Sequence, residues 1–315
     1  MTNILSLLQE KTKIAADTID LKTIKLYKIN DVTTNPSLIL NSIVMPEYTS
    51  IINKTILMLK KTNEQYNNVL YDYLTLIIAT KILQFISGKI SIEIDPRLSY
   101  NTNASIKKAK NIIELYNNSG IKNNQILIKL AATWEGIKAA EQLEKDGINC
   151  NLTLIFSFIQ AKACAEAGVC FISPFVGRIL DWYKNNTDNK KYTILQHPGI
   201  ICLKEIFNYY KTNNYKTNIM GASFRDINEI IELAGCDYLT IPPHILYKLN
   251  KKNGKISNNM YINYNYNYNI NYTTRNIFLQ QLNNNQMAKE ELKIGINKFI
   301  VAQKQLESYI QQHQY

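Results

Sequence analysis

Eight short β-rich runs recur between longer helical stretches from residue 13 to residue 243, and this alternation restricts the fold more than any other feature of the chain. The runs are KIAAD (13 to 17), DVTTN (31 to 35), ISIEID (90 to 95), ILIKLA (126 to 131), CNLTLI (150 to 155), VCFISPF (169 to 175), NIMGAS (218 to 223) and YLTIP (238 to 242). Several are continuously apolar rather than strictly alternating, which suits parallel strands covered by helices. SFIQAKACAEAG leads into VCFISPF and INEIIELAG into CDYLTIP, each helix closing at Ala-Gly, where Gly168 or Gly235 takes left-handed backbone at little cost. Eight such units predict an α/β fold, a (β/α)8 TIM barrel, over an open doubly wound sheet. No G-x-G-x-x-G or G-x-x-x-x-G-K-[ST] loop follows a run, which weakens a nucleotide-binding alternative.

A length of 315 residues divided by about 150 gives roughly two domains, yet barrels of this size form one. The expected organisation is therefore one barrel over 1 to 315, with a low-complexity loop at about 251 to 276 and a C-terminal helix at about 287 to 311. That helix places Met287, Leu292, Ile296, Phe299, Ile300, Leu306 and Ile310 at near-helical spacing, so it should pack on the barrel or on a second subunit. A hydrophobic content of 46% excludes disorder for most of the length.

Lysine and arginine exceed aspartate and glutamate by 36 to 25, a net charge of +11. An anionic partner would account for it; so would a drift toward Ile, Lys, Asn and Tyr that leaves lysines on a solvated surface, the reading adopted. Cys150, Cys164, Cys170, Cys202 and Cys236 form an odd count without a C-x-x-C pair, which predicts reduced, buried thiols in a cytoplasmic protein. His197, His244 and His313 show no ligand spacing, so no metal is expected. The N-terminal apolar run is too short for a signal peptide, and no run of about 18 apolar residues suggests a membrane span.

A barrel demands that its active site lie at the C-terminal ends of the strands. Polar residues stand there in run after run: Asp17, Asn35, Glu93, Lys129, Asn151, Thr153, Ser173 and Ser223, with Arg178 and Arg225 just beyond, where barrels commonly bind phosphate. Polar groups inside apolar strands cost free energy unless satisfied, so their recurrence needs an explanation. Lys129 is the most informative. An ammonium within a Leu/Ile strand is poorly solvated, which favours the neutral, nucleophilic amine. A lysine beside Asp17 and Glu93, with no cofactor motif, points to Schiff-base chemistry on a carbonyl substrate; either carboxylate could instead be a structural partner of Lys129 or Arg97.

These residues bring a known family into view. DVTTNPSLIL and ILIKLAATWEGIKAAEQLEKDGINCNLTLIFSFIQAKACAEAGVCFISPFVGRILDWYK resemble the two signatures of transaldolases of the long bacterial and eukaryotic type, and SIEIDPRLS and MGASFRDINEIIELAGCDYLTI are similar to that family's third and seventh strand regions. The resemblance implies transfer of a dihydroxyacetone unit from sedoheptulose 7-phosphate to glyceraldehyde 3-phosphate, giving erythrose 4-phosphate and fructose 6-phosphate, in the non-oxidative pentose phosphate pathway. It makes Lys129 the Schiff-base lysine, Asp17 the acceptor of the C4 hydroxyl proton, and Glu93 with Thr153 the pair that orders a catalytic water. Asn35, Asn151 and Ser173 match the groups that hold the dihydroxyacetone moiety, Thr33 and Phe175 are expected among the substrate-binding residues, and Arg178, Ser223 and Arg225 match the phosphate site. No cofactor is implied, and members of the family are often homodimers.

Residues 251 to 276 depart from the pattern as an Asn/Tyr tract, and Ile19 and Pro96 stand where the family commonly has Gly and Ala. Two alternatives follow. A fructose 6-phosphate aldolase-like enzyme would use the same lysine, but such relatives generally carry Gln and Tyr at the positions of Glu93 and Phe175. A catalytically dead barrel binding RNA would account for the charge and the tract, but the intact polar set argues against it, so the expected partners are sugar phosphates rather than nucleic acid or membrane.

Overall fold

In the computed structural model, which describes residues 2–60, 66–260 and 272–312, the eight runs form eight parallel strands closed into a barrel in sequence order. They are β1 (Lys13–Asp17), β2 (Asp31–Thr33), β3 (Ile90–Glu93), β4 (Ile126–Ala131), β5 (Cys150–Ile155), β6 (Phe171–Pro174), β7 (Asn218–Gly221) and β8 (Tyr238–Ile241). Closure comes from β1 on β8, with Ile14 opposite Leu239 and Ala16 opposite Ile241. Helices follow every strand and cover the outside.

Several strands end earlier than their apolar runs, because the chain there turns from ladder into helix. Asn35 leaves β2 to cap the helix Pro36–Asn41, its side chain accepting from Leu38 N at 3.0 Å. Asp95 caps the turn Pro96–Leu98 in the same way through Arg97 N. Gly168 and Gly235 close their helices at φ of +68° and +102°, as the Ala-Gly endings require.

Side chains alternate across a strand, so residues of one parity face the barrel interior. Ala15, Leu127, Phe171, Met220 and Tyr238 form an apolar cluster of their own, separate from the large core between strands and helices. Two positions further along their strands, the same parity brings Asp17, Lys129, Ser173 and Thr240 toward the C-terminal mouth, above that plug. The plug closes the lower end, and the polar groups collect at the upper one.

Beyond β8 the helix Pro243–Lys251 is followed by irregular chain, and the helix Arg275–Asn284 begins where the loop was expected to end. Asn259 donates its backbone N–H to Ala234 O at 3.0 Å, and Thr273 donates to Glu166 at 2.9 Å. Both partners terminate outer helices at the N-terminal face of the barrel, opposite the polar groups. Residues 261–271, the heart of the Asn/Tyr tract, lie outside the described residues.

The C-terminal helix, Gln286–Gln312, buries Met287, Leu292, Ile296, Phe299, Leu306 and Ile310, while Ile300 stays half-buried. Among the described residues no helix is long and apolar enough to cross a membrane. All five cysteines are free; Cys150, Cys164 and Cys236 are buried, whereas Cys170 and Cys202 are only partly so, contrary to the expectation of uniform burial.

Candidate active site

One cavity of about 320 Å³ opens at the C-terminal mouth. Asp17, Thr33, Asn35, Lys129, Thr153, Ser173, Phe175, Arg178, Ser223 and Arg225 all line it, so ten of the twelve residues expected from sequence converge on one space. Glu93 and Asn151 sit just beneath the lining. Glu93 reaches it through Lys129, its Oε2 lying 3.2 Å from Nζ. Asn151 reaches it through Ser173, whose hydroxyl donates to Oδ1 at 2.9 Å, while its amide donates to Ser91 Oγ at 3.1 Å. Asn151 thus acts on the cavity here by orienting Ser173.

Register explains the cluster. Glu93 is opposite Lys129 across β3 and β4, and Lys129 is opposite Asn151 across β4 and β5. Adjacent strands therefore present carboxylate, amine and amide at one height. The Lys129 ammonium donates to Thr34 O at 2.9 Å and lies 5.9 Å from the centre of the Phe299 ring. Its side chain is 6% exposed, so any reagent must approach through the cavity.

Burial pushes the carboxyls of Asp17 and Glu93 above the usual carboxylate range. Lys129 pulls against that shift in both, and Thr33 also opposes it at Asp17. Asp17 Oδ1 accepts from Thr33 Oγ1 at 3.3 Å, and that hydroxyl lies 2.7 Å from Thr240 Oγ1. Two buried carboxyl groups beside an amine have the chemistry for proton exchange. The buried Glu93 Oε2 has the Lys129 ammonium at 3.2 Å, whereas Thr153 Oγ1 is buried without a hydrogen-bond partner. Such an atom is costly unless a polar ligand or water meets it.

The strand β5 is irregular at this point. Its pairing with β6 shifts between Leu152 and Ile155, and Leu154 takes left-handed backbone at φ +58°. Thr153, which shares the inward parity of Asn151, lines the cavity beside this bulge.

Two arginines also line the cavity. Arg178 stacks over Phe175, 5.1 Å from the ring centre, and its buried Nη1 has no hydrogen-bond partner. Burial lowers its basicity, with Glu291 opposing. Arg225 donates Nε and Nη2 to Asp181 Oδ2 at 2.9 and 2.8 Å, and Nη1 lies 3.3 Å from Ser223 Oγ. Ser223 itself is left-handed, at φ +64°. Two guanidinium groups beside a hydroxyl in the cavity that Lys129 also lines have the chemistry to bind an anion.

Sequence reasoning missed Ser37, Thr240, His244 and Phe299 in the lining, and Ser91 and Asp181 behind it. Thr240 was discoverable, since it has the inward parity of its strand. Phe299 was not, because an apolar residue in a helical stripe gives no sign of which surface it meets. Among the described residues no group of three or more His, Cys, Asp and Glu side chains could hold a metal ion; His197 instead pairs with Glu229 at 2.9 Å in a buried contact. Against known proteins, a family model described as transaldolase/fructose-6-phosphate aldolase matches residues 14–310.

Proposed function

Because the chain belongs to the transaldolase/fructose-6-phosphate aldolase family, we propose that it is a transaldolase moving a dihydroxyacetone unit from sedoheptulose 7-phosphate to glyceraldehyde 3-phosphate. The observation that carries this reading is the buried Lys129 amine paired with Glu93 in one cavity that Asp17, Arg178 and Arg225 also line.

In this mechanism the neutral Lys129 amine adds to the ketose carbonyl, and loss of water gives an iminium. Asp17 takes the C4 hydroxyl proton as the C3–C4 bond breaks, and the electron pair flows into the iminium to give an enamine. The aldehyde product leaves. An acceptor aldehyde enters, the enamine carbon attacks it, and Asp17 returns the proton. A water held by Glu93 and by Thr153, whose buried hydroxyl oxygen has no hydrogen-bond partner in the protein, supports Schiff-base formation and hydrolysis. Thr33, Asn35 and Ser173 hold the dihydroxyacetone hydroxyls, and Arg178 and Arg225 bind the remote phosphate, which aligns the reacting carbons.

The alternative is aldol cleavage of fructose 6-phosphate to free dihydroxyacetone. Two side chains favour transfer: Glu93 can accept a proton from water, and Phe175 offers no hydroxyl to protonate the enamine. The pathway placement, the cytoplasmic setting and a homodimeric state rest on family membership. That the chain works as one barrel domain is supported by the apolar stripe of its C-terminal helix, buried in the common core.

The test is a steady-state assay with fructose 6-phosphate and erythrose 4-phosphate, expected to yield sedoheptulose 7-phosphate and glyceraldehyde 3-phosphate. Borohydride added with fructose 6-phosphate should fix a dihydroxyacetone-sized adduct on Lys129, and Lys129→Ala should lose roughly a thousandfold or more in turnover. An unmodified lysine or a fully active variant would sink the assignment.

A further inference from the structure

The C-terminal helix Gln286–Gln312 crosses the mouth of the barrel, and one line of it faces the chemistry. Glu291, Gly295 and Phe299 recur every four residues and so share a face. Phe299 lines the cavity beside Lys129, with its own side chain buried. One turn earlier, Gly295 leaves no room for a side chain: a Cβ there would lie 2.7 Å from Leu154 Cδ2 and 3.2 Å from Arg178 Nη1. Leu154 is fully buried on the left-handed bulge of β5, so it has little freedom to withdraw. Gly295 therefore sets how closely the helix rests on the barrel, and that height fixes the depth of Phe299.

Contacts before and after this pair pin the helix. Trp182 Nε1 donates to Glu290 Oε2 at 2.7 Å, and Arg97, held by Asp95, reaches Glu307 Oε1 at 2.8 Å. The aromatic ring is thus not a mobile side chain over an open mouth but one wall of the reaction space.

We propose that Phe299, set at its depth by Gly295, excludes water from the enamine and so determines that the dihydroxyacetone unit is transferred rather than released; this rests on the Schiff-base reading above. The reaction it suppresses is hydrolysis. The nucleophilic enamine carbon takes a proton from water, giving an iminium; hydroxide adds to the iminium carbon, the C–N bond breaks, and dihydroxyacetone departs with the Lys129 amine restored, one water consumed in all. An apolar ring centred 5.9 Å from the nitrogen offers no hydrogen-bond partner to a further water on its side of the cavity, beyond the one held by Glu93 and Thr153.

The experiment compares wild type, Phe299→Ala, Phe299→Leu and Gly295→Ala. For each, free dihydroxyacetone formed from fructose 6-phosphate without acceptor is divided by transfer to erythrose 4-phosphate. The ratio should rise about tenfold or more in Phe299→Ala, rise less in Gly295→Ala, and stay within about twofold of wild type in Phe299→Leu, which keeps an apolar wall. Borohydride should still trap an adduct on Lys129 in all four. Ratios unchanged in both Phe299→Ala and Gly295→Ala, with the adduct present, overturn the role of Phe299 alone. No adduct in wild type overturns the Schiff-base reading and this inference together. Should Phe299→Ala fail to fold, the rise in Gly295→Ala against the retained ratio of Phe299→Leu decides.

Discussion

Asp17 shows how a residue can be kept against the stability of its own fold. Burial raises its carboxyl pKa, with Lys129 only partly offsetting the cost. At low pH the carboxyl is protonated in both native and unfolded chains and contributes nothing. As pH rises through the ordinary carboxylate range, about 3.9 for aspartate, the unfolded chain ionises first and the native state is penalised, until the raised native pKa is passed and the penalty levels off. Asp17→Asn should therefore melt at a higher temperature than wild type at about pH 7.5, with the gap narrowing toward about pH 4, while kcat falls by roughly a hundredfold to ten-thousandfold. Thermal melts at the two pH values check the first part; a variant that melts lower at both would contradict it. The wild-type kcat/KM should show an acid limb above the ordinary carboxylate range that changes shape in the variant, where only the Glu93 carboxyl remains to produce it. At this scale the sequence was informative because a charged residue in an apolar strand is costly wherever it points, so Asp17, Glu93 and Lys129 stood out at once. It did not tell Asn151 beneath the cavity from Ser173 within it, since both have inward parity and depth is a property of the closed barrel.

The arginine pair is a matter of how two elements meet. Gly177, at the start of the helix Val176–Asn186, donates its N–H to Ser223 O at 2.9 Å, and a Cβ there would lie 2.3 Å from that carbonyl and 2.9 Å from Arg225 Cγ. The helix after β6 and the loop after β7 touch backbone to backbone, and both of the cavity's arginines depend on it. Gly177→Ala should cost about 1–3 kcal/mol of stability through overpacking. It should also raise KM for fructose 6-phosphate by about tenfold or more, with kcat less affected, because remote phosphate binding is what is lost. Denaturant melts and steady-state kinetics measure the two effects, and an unchanged KM would show that the contact does not place the arginines. The sequence indicated the strands and most helices here, because apolar periodicity reports burial. It did not indicate the helix Arg275–Asn284, which follows directly on the Asn/Tyr tract and shows too weak a stripe to separate from it.

Across the whole molecule the two barrel faces divide the work. The cavity and the C-terminal helix occupy the C-terminal mouth, whereas the described ends of the Asn/Tyr tract dock on Ala234 and Glu166 at the opposite face. Replacing residues 261–271 with a Gly/Ser linker of equal length should leave kcat/KM within about twofold, since the flanking Asn259 and Thr273 are both held at the face opposite the cavity. A larger loss in the coupled assay would give the tract a part in catalysis. Seen from the sequence alone, eight β/α units and the polar residues ending them indicated the barrel and most of the polar residues that line its cavity, because strand periodicity and the cost of burying charge are local properties of a chain. Which groups touch, and how deeply the terminal helix sits over them, was decided only by closure. Register across neighbouring strands sets Lys129 against Glu93, and the absence of a side chain at Gly295 brings Phe299, 170 residues away along the chain from Lys129, down to its amine. Such contacts between distant segments depend on packing distances that no local pattern encodes.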